Sequence, residues 1–369
     1  MSEKNLSFYS YLLICLSATF LSIGGCREAK PYQFVWDASV ENHTGVSNDF
    51  YKSDKKHRGM TAFRWRGEID ASINDLLENN VEWLSMVPYM YQETERTKEV
   101  RSREEIGVWT RWDSLYIQVI NKVHEHGMHV MLKPHLWMRD GWRSNITMDS
   151  DEEWDRWFDS YKRHVIHYAM MAQFLNVELF CIGTEFNSSI RKQPDKWDIL
   201  IDEVKEVYDG QLTFAANWDG EHENVQFWDK MDYIGVQAYF PISNKLSPTL
   251  PELKRGWTKH KRMLKRLSKR YNKPILFSEV GYRSDASATI EPWVWGEALD
   301  SLAMQSQETQ NLAYEALFQT LWKEEWFAGM YIWQWRNGAT ENISNSIDFT
   351  PQFKQAQNTM AKWYGVEVK

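Results

Sequence analysis

Cysteine is scarce in this sequence, with only three among 369 residues. Cys15 lies in an N-terminal apolar run and Cys181 in a predicted core strand, so no disulfide framework is available. Positive charge is also in deficit, because 43 Lys and Arg residues face 51 Asp and Glu residues and leave a net charge of -8. A protein without a basic excess cannot readily displace the counterions of a phosphate backbone. We therefore expect no nucleic-acid partner.

Long apolar runs are absent except at the N-terminus, which excludes a protein with several membrane spans. The single run extends from Phe8 to Ile23, follows Lys4 and ends in Ile-Gly-Gly-Cys26. It is short for a membrane span and has the length of the apolar region of a secretory signal. The ending resembles a bacterial lipoprotein signal, in which Cys26 is acylated and becomes the first residue. An ordinary signal peptide is the alternative. Both predict export, and a lipid on Cys26 would hold the protein at the periplasmic or outer face of a membrane.

The rest of the chain alternates apolar runs with amphipathic segments. After a signal over residues 1–25 and a polar lead-in over 26–58, the alternation fills residues 59–369. The predicted strands are short apolar runs, as in parallel sheets buried on both faces: Met60–Trp65, Val81–Tyr89, His129–Leu136, Val177–Phe186, Leu212–Trp218, Tyr233–Phe240, Ile275–Tyr282 and Met330–Trp335. With no linker between them, they predict one (β/α)8 TIM barrel. A doubly wound sheet is the alternative, but no Gly-rich phosphate loop follows any strand.

The carboxyl ends of the strands are where the active site of such a barrel forms. Most of the residues there are aromatic, amide or basic: Arg64, Trp65, Tyr89, His135, Trp137, Asn217, Trp218, Gln237, Tyr239, Trp333 and Trp335. Tryptophan is abundant, with 20 residues, and its flat ring suits contact with a sugar. Two strands end instead in a carboxylate, Glu185 and Glu279. Burying an unpaired charge costs several kcal/mol, so we expect each glutamate to have either a partner or a function.

Two carboxylates that face each other across an aromatic barrel mouth suit glycosidic bond cleavage. One protonates the leaving oxygen while the other attacks the sugar, and a retaining enzyme holds them about 5–5.5 Å apart. The alternative is that a core cation such as Arg64 or Arg283 neutralises each glutamate. A permanent buried counter-ion on either carboxylate would argue against catalysis.

Several segments, in this order, resemble glycoside hydrolase family 113 of clan A, whose known members are chiefly β-1,4-mannanases. The resemblance covers residue 59 to the C-terminus and is carried by Lys133–Trp137, Ile182–Phe186, Val236–Pro241, Phe277–Ser284, Glu291–Trp293, Trp333–Trp335 and Asp348–Gln352. It implies that Glu185 is the general acid/base and Glu279 the nucleophile. It also implies that Tyr239 orients the nucleophile and that Trp333 forms the floor of the sugar subsite beside the scissile bond.

The sequence departs from the clan pattern at Thr184, where most members have an Asn that contacts the sugar 2-hydroxyl. We expect Thr184 and Asn217 to supply this contact. The other expected substrate contacts are Trp218, His135, Trp65, Arg64 and Trp335. The charged loop 92–105 follows the second strand and is expected to shape the cleft, although a solvated insertion is the alternative.

The function predicted from the sequence is a retaining glycoside hydrolase that acts on β-1,4-mannan or manno-oligosaccharides. Two carboxyls and water suffice for this reaction, so we expect no metal and no organic cofactor. His124, His126 and His129 form a cluster, but at the end of the barrel away from the expected site. Two alternatives remain open: the same chemistry on another β-linked glycan or in exo mode, and a glycan-binding lipoprotein without activity.

Overall fold

The computed structural model describes residues 47–63, 65, 68–102, 111–295 and 304–368. The predicted lipidation site at Cys26 and the strand-end residue Arg64 lie outside these ranges, as does the end of the 92–105 loop. Within them, no helix combines the length and apolar character needed to cross a membrane.

All eight predicted apolar runs form parallel strands, and they close into a barrel. The order around it is β1-β10-β9-β8-β7-β6-β4-β2, and pairing of β1 with both β10 and β2 completes the circle. The bounds are β1 His57–Phe63, β2 Trp83–Met86, β4 His129–Leu132, β6 Leu179–Thr184, β7 Gln211–Asn217, β8 Tyr233–Gln237, β9 Ile275–Val280 and β10 Phe327–Arg336. The predicted single TIM barrel is confirmed.

Two predicted strands are each broken by a proline. Pro88 and Pro134 lack the N–H that a ladder needs, so the second and third runs end early and resume beyond the proline. The resumed segments, β3 Tyr89–Gln92 and β5 His135–Met138, form their own parallel pair. In it Tyr89 lies opposite His135, and both side chains are carried beyond the carboxyl end of the barrel wall.

Helices occupy the predicted connections between strands. Their bounds are α1 Tyr51–Asp54, α2 Ile69–Leu77, α3 Arg111–Glu125, α4 Asp151–Phe174, α5 Asn187–Lys192, α6 Pro194–Val207, α7 Glu221–Asn224, α8 Leu250–Tyr271, α9 Gln307–Leu321 and α10 Gln355–Tyr364. Helix α8 begins at a capping box formed by Thr249 and Glu252. The connection after β7 is short and contains only α7 and one 3₁₀ turn.

The barrel interior is sealed at its amino end by large apolar side chains from several strands. Trp83, Met131, Leu179, Tyr233, Leu276 and Tyr331 pack there as one buried cluster. At this same end His124 and His129 face the carboxylate of Glu178, at 3.3 and 3.1 Å. Burial opposes the charge of Glu178, but these hydrogen bonds lower its pKa to about 2. These histidines therefore have a carboxylate partner far from the carboxyl-end mouth. Among the described residues, no three His, Cys, Asp or Glu side chains are placed so that they could hold a metal ion.

Candidate active site

A pocket of about 830 Å³ opens at the carboxyl end of the barrel. Its wall is mainly aromatic, with Tyr89, His135, Trp137, Trp142, Trp218, Tyr239, Trp293, Trp295, Trp333 and Phe349. Among these rings stand the polar side chains of Arg143, Glu185, Asn217, Asp219, Gln237 and Glu279. Both strand-end carboxylates predicted to carry the chemistry thus enter one cavity.

Glu279, near the end of β9, is held by three donors. Tyr239 donates its hydroxyl hydrogen to Oε1, while Lys133 Nζ and Gln237 Nε2 each lie 2.9 Å from Oε2. Lys133 is fully buried and also donates to the Ser278 carbonyl at 3.0 Å. An ionised carboxylate has acceptor positions on both oxygens, and this donor set fits that form.

Tyr239 stays protonated and can act only as a donor towards Glu279. Burial raises the pKa of its hydroxyl well above the ordinary value, and the charges of Glu279 and Glu185 raise it further. Both carboxylates line the same pocket as this hydroxyl.

Glu185 follows the last residue of β6 and is held differently. Its backbone adopts a left-handed conformation, with φ of 56°, and its N–H donates to the Ala215 carbonyl at 2.9 Å. A residue with a Cβ pays about 1 kcal/mol or more for this conformation, which is typical of functional positions. Here the sharp turn directs the carboxylate away from the strand and into the pocket.

The side chain of Glu185 receives hydrogen bonds from three surrounding groups. Asn217 Nδ2 donates to Oε1 at 2.7 Å, Arg143 Nη2 donates to Oε2, and Trp142 Nε1 lies 3.4 Å from Oε2. The amide of Asn217 is oriented because its Oδ1 accepts from the Asp219 N–H at 2.7 Å. The nitrogen of that amide therefore faces Glu185.

Glu221 is a further buried carboxyl behind this arrangement. Its Oε2 accepts from the Asn217 N–H at 2.7 Å, so it supports the backbone that carries the amide. Burial raises the pKa of Glu221 to about 8, and the charge of Glu185 adds to the rise. Nothing in the sequence singled this residue out, since it follows Gly220 in a short polar connection.

The aromatic floor of the pocket is built around Trp333. Its ring meets Phe63 edge-on at 4.9 Å and lies parallel to the His135 ring, with 6.4 Å between centroids. Burial, with the charges of Lys133 and Arg143, lowers the pKa of His135 well below its usual value, so the imidazole is neutral. The indole nitrogen of Trp333 and Nε2 of His135 are buried without a hydrogen-bond partner among the described residues.

The rim of the pocket presents tryptophans that are unusually exposed. Trp137 and Trp142 are 50% and 42% exposed, and Trp293 and Trp295 are 41% and 51% exposed. The first two belong to the segment after β4, the last two to the segment after β9. These strands lie four positions apart in the eight-strand order, so the two pairs flank opposite sides of the mouth.

Comparison with known proteins identifies the family. The sequence model of Glycoside Hydrolase Family 113 matches residues 59–353. The chain belongs to glycoside hydrolase family 113. None of the functionally curated proteins matches it significantly.

Solved structures of this family resemble the chain over almost its whole described length. A β-mannanase of family 113 from Alicyclobacillus acidocaldarius, in complex with ManMIm, is 26% identical with a TM-score of 0.74, covering 84% of this chain and 97% of its own. A complex of a family 113 β-1,4-mannanase is 25% identical with a TM-score of 0.73, covering 84% and 99%. A β-glucuronidase from Faecalibacterium prausnitzii, 13% identical with a TM-score of 0.54, covers 84% of this chain and 49% of its own, and shares the fold alone.

Within this family 113 chain, four of the residues predicted to bind substrate line the pocket: Trp333, Asn217, Trp218 and His135. Trp335 does not. The pairing of β10 with β1 shifts register at Gln334, because Thr61 pairs with Trp333 and Ala62 with Trp335. The extra residue turns Trp335 to the other face, where it joins the main core, while Trp333 packs with Tyr239.

Trp65 and Thr184 also lie outside the pocket wall. Strand β1 ends at Phe63, two residues earlier than predicted, so Phe63 supplies the ring beside Trp333 and Trp65 packs against the main core instead. Thr184 is fully buried in β6, because the chain turns only at the next residue. Its carbonyl oxygen, which accepts from Arg143 Nε at 3.1 Å, is the part that faces the site.

Of the two cations considered from the sequence, Arg64 lies outside the described residues and Arg283 has another partner. Arg283 pairs with Asp285 at 2.8 Å, and the partners found for Glu279 and Glu185 are Lys133 and Arg143. Lys133 had a usable signal, because a lysine within an apolar strand carries the same burial penalty as a carboxylate. Arg143 had none, since it lies in a polar loop.

The buried pair of Lys133 and Glu279 yields a prediction about stability. Lys133→Met should lower the free energy of unfolding by about 3–5 kcal/mol, because it leaves a buried carboxylate without its cation. Adding Glu279→Gln to that variant should restore much of the loss. Denaturant unfolding of the wild type, the two single variants and the double variant measures their coupling. Lys230→Met, which removes a partly exposed cation, is the control and should change the free energy of unfolding little. A cost below about 1 kcal/mol for Lys133→Met would show that the pair is not coupled as described.

Proposed function

We propose that this chain is a retaining endo-1,4-β-mannanase that hydrolyses β-1,4-mannan or manno-oligosaccharides by double displacement. The observation that carries the proposal is that two carboxylates in one aromatic pocket have different surroundings. Glu279 is fixed by three donors, of which Gln237 belongs to β8 while Lys133 and Tyr239 lie just beyond strand ends. Glu185 sits on a turn and accepts from Asn217 of β7 and from Trp142 and Arg143 of a loop. A nucleophile must stay charged and stationary, while an acid/base must exchange a proton twice in each cycle.

The two steps follow from these roles. In the first, the Glu279 carboxylate attacks the anomeric carbon, the bond to the leaving sugar breaks, and Glu185 gives its proton to the departing oxygen. A covalent ester to Glu279 remains. In the second, Glu185 takes a proton from water, whose oxygen attacks the same carbon and releases Glu279. Tyr239, Lys133 and Gln237 stabilise the negative charge that returns to Glu279.

Mannan as the substrate is supported by the relatives and by the pocket wall. The three family 113 structures, each named a β-mannanase, are 25–26% identical to this chain. The unpartnered nitrogens of His135 and Trp333 offer hydrogen bonds to sugar hydroxyls on the pocket floor. Exposed tryptophans on opposite sides of the mouth suit sugars on both sides of the scissile bond, which favours endo action.

The alternative is the same chemistry on another β-linked glycan or in exo mode. It is supported by Thr184, because its buried side chain leaves the 2-hydroxyl contact to Asn217 alone. A glycan-binding protein without activity has less support, since Glu185, Glu279 and Tyr239 are all present in the pocket.

The glutamate roles predict two different losses. Glu279→Gln should reduce kcat by more than about 1,000-fold on every substrate, because no covalent intermediate can form. Glu185→Ala should reduce it by about 100- to 10,000-fold on mannan. Glu185→Ala should reduce the rate of the first step far less on a 2,4-dinitrophenyl β-mannoside or manno-oligoside. That leaving group departs without needing a proton.

Steady-state and burst kinetics on both substrates measure these losses, and NMR of the first-formed product gives its anomeric configuration. Glu178→Gln, at the opposite end of β6, is the matched control and should keep near wild-type activity. An inverted product, or an active Glu279→Gln variant, would refute the retaining assignment.

Substrate class and mode of action are tested by a panel of β-1,4-mannan, β-glucan, xylan and β-galactan. We expect release of reducing ends chiefly from mannan, with oligosaccharides of several lengths at the earliest times. A single small product from the start would establish exo action. Preference for another glycan would support the alternative substrate, and binding without hydrolysis of any would support the inactive protein.

We also propose that residues 1–25 are a lipoprotein signal, that a lead-in follows from residue 26, and that the rest forms the catalytic domain, whose strand β1 begins at His57. Acylation at Cys26 would place the enzyme on a membrane surface without a spanning helix. Its support is the apolar run that ends in Ile-Gly-Gly-Cys.

The lipid anchor predicts incorporation of radioactive palmitate when the full chain is expressed in a bacterium. Cys26→Ala should abolish the label and move the protein from the membrane to the soluble fraction. Cys15→Ala is the matched control and should be labelled normally, because that cysteine is removed with the signal. An unlabelled wild-type protein that is cleaved elsewhere would indicate an ordinary signal peptide.

A further inference from the structure

Arg143 places a positive charge directly on the carboxylate proposed as general acid. Its Nη2 donates to Glu185 Oε2, and this ion pair is largely buried, with the arginine side chain 20% exposed and the glutamate 9%. A guanidinium stabilises the charged form of a carboxylate, whereas the first step of hydrolysis needs the protonated form. The pair therefore bears on the reaction itself and not only on stability.

The arginine contacts two different parts of the chain at the end of β6. Besides the carboxylate, its Nε donates to the Thr184 carbonyl at 3.1 Å. One planar side chain thus holds both the backbone before the left-handed turn and the carboxylate that follows it. Such a double contact uses the fixed fork of the guanidinium, which a lysine lacks.

Arg143 belongs to a loop and not to the barrel wall. It begins a 3₁₀ turn, Arg143–Asn145, in the segment between β5 and α4. Glu95, in the loop after β3, supports this segment by accepting from the Trp142 N–H at 3.1 Å and from Asn145 Nδ2 at 3.0 Å. The 92–105 loop therefore helps to set where the arginine stands.

Other charged and titratable groups also surround Glu185. Glu221 lies behind Asn217, while Glu279 and Tyr239 face Glu185 across the pocket. The remaining neighbours are Asp219 and the neutral His135 on the pocket wall, and Lys133 beneath it. Lys133 is engaged with Glu279, so among the described residues Arg143 is the cation in direct contact with Glu185.

We propose that Arg143 is a positioning residue that orients the Glu185 carboxylate and sets the upper pH limit of activity. The proposal rests on the acid/base role of Glu185. Because the guanidinium attracts a negative charge on Glu185, we expect activity to extend to higher pH when Arg143 is removed. The same charge steadies Glu185 in the second step, in which it begins as a carboxylate and accepts the proton of water.

The experiment compares pH profiles of kcat/KM on mannan, because this parameter reports ionisations of the free enzyme. Removing the cation with Arg143→Met should move the alkaline limb to higher pH by about 1 unit or more. Arg143→Lys keeps the charge but not the fork, so it should retain most of the wild-type alkaline limb while kcat falls. Arg139→Met, which removes an exposed arginine paired with Glu93 on the same loop, is the matched control and should leave the profile unchanged.

Two outcomes would overturn the proposal. One is an Arg143→Met profile that keeps the wild-type limb while activity falls uniformly. The other is an Arg143→Lys profile shifted as far as that of Arg143→Met. Thermal unfolding of each variant checks that the protein is folded across the pH range.

A second background separates this proposal from the proposed function. In Glu185→Ala, assayed on the 2,4-dinitrophenyl glycoside, adding Arg143→Met should cause no further shift, because the group it acts on is gone. If Glu185→Ala loses mannan activity as expected but Arg143→Met does not move the limb, only the role of Arg143 fails. If Glu185→Ala keeps its mannan activity, the acid/base assignment fails first.

Discussion

A fully buried lysine facing a buried glutamate constrains the whole carboxyl end of this barrel. Neither charge could be tolerated there alone, because the cost of burial exceeds what one or two neutral hydrogen bonds return. Lys133 comes from the end of β4, while Glu279 comes from β9, so the pair fixes two distant strands relative to each other. Gln237 and Tyr239, from the end of β8 and the residues after it, complete the donor set. The same ion pair therefore links the closed barrel to the geometry of the pocket.

The second carboxylate follows a different design. Glu185 lies outside regular pairing, on a left-handed turn, and its cation comes from a loop. The structure meets the condition that the sequence argument held against catalysis, because Lys133 is a buried counter-ion of Glu279. For a nucleophile that condition is too strict. A nucleophile benefits from a permanent positive charge, because it must remain ionised until it attacks. For the acid/base, the same charge must be balanced against the need to carry a proton.

The sequence alone predicted the eight barrel strands and the pocket-lining positions of Glu185, Glu279, Tyr239, Asn217 and Trp333, because apolar runs that end in polar residues are a local signal. It failed where the answer depends on register. Trp335 was misplaced by a one-residue bulge, and Trp65 by a strand that ends two residues early. The bulge turns Trp335 to the other face of its strand, whereas Trp65 lies beyond the end of β1. Arg143 and Glu221 could not be found at all, since their roles arise from tertiary contacts of loops with no periodicity. Lys133 does carry a sequence signal, because a lysine at the end of an apolar run has the same burial cost as a carboxylate.

The segments above the barrel form the rest of the pocket of this family 113 chain. Two such segments carry the exposed tryptophans, and they lie on opposite sides of the mouth. One of them also carries Arg143, adjacent in sequence to Trp142. A change in that loop would therefore alter sugar contact and the environment of the acid/base together. The proposed roles of Trp142 and Arg143 would therefore couple substrate choice to pH dependence through neighbouring residues of one loop.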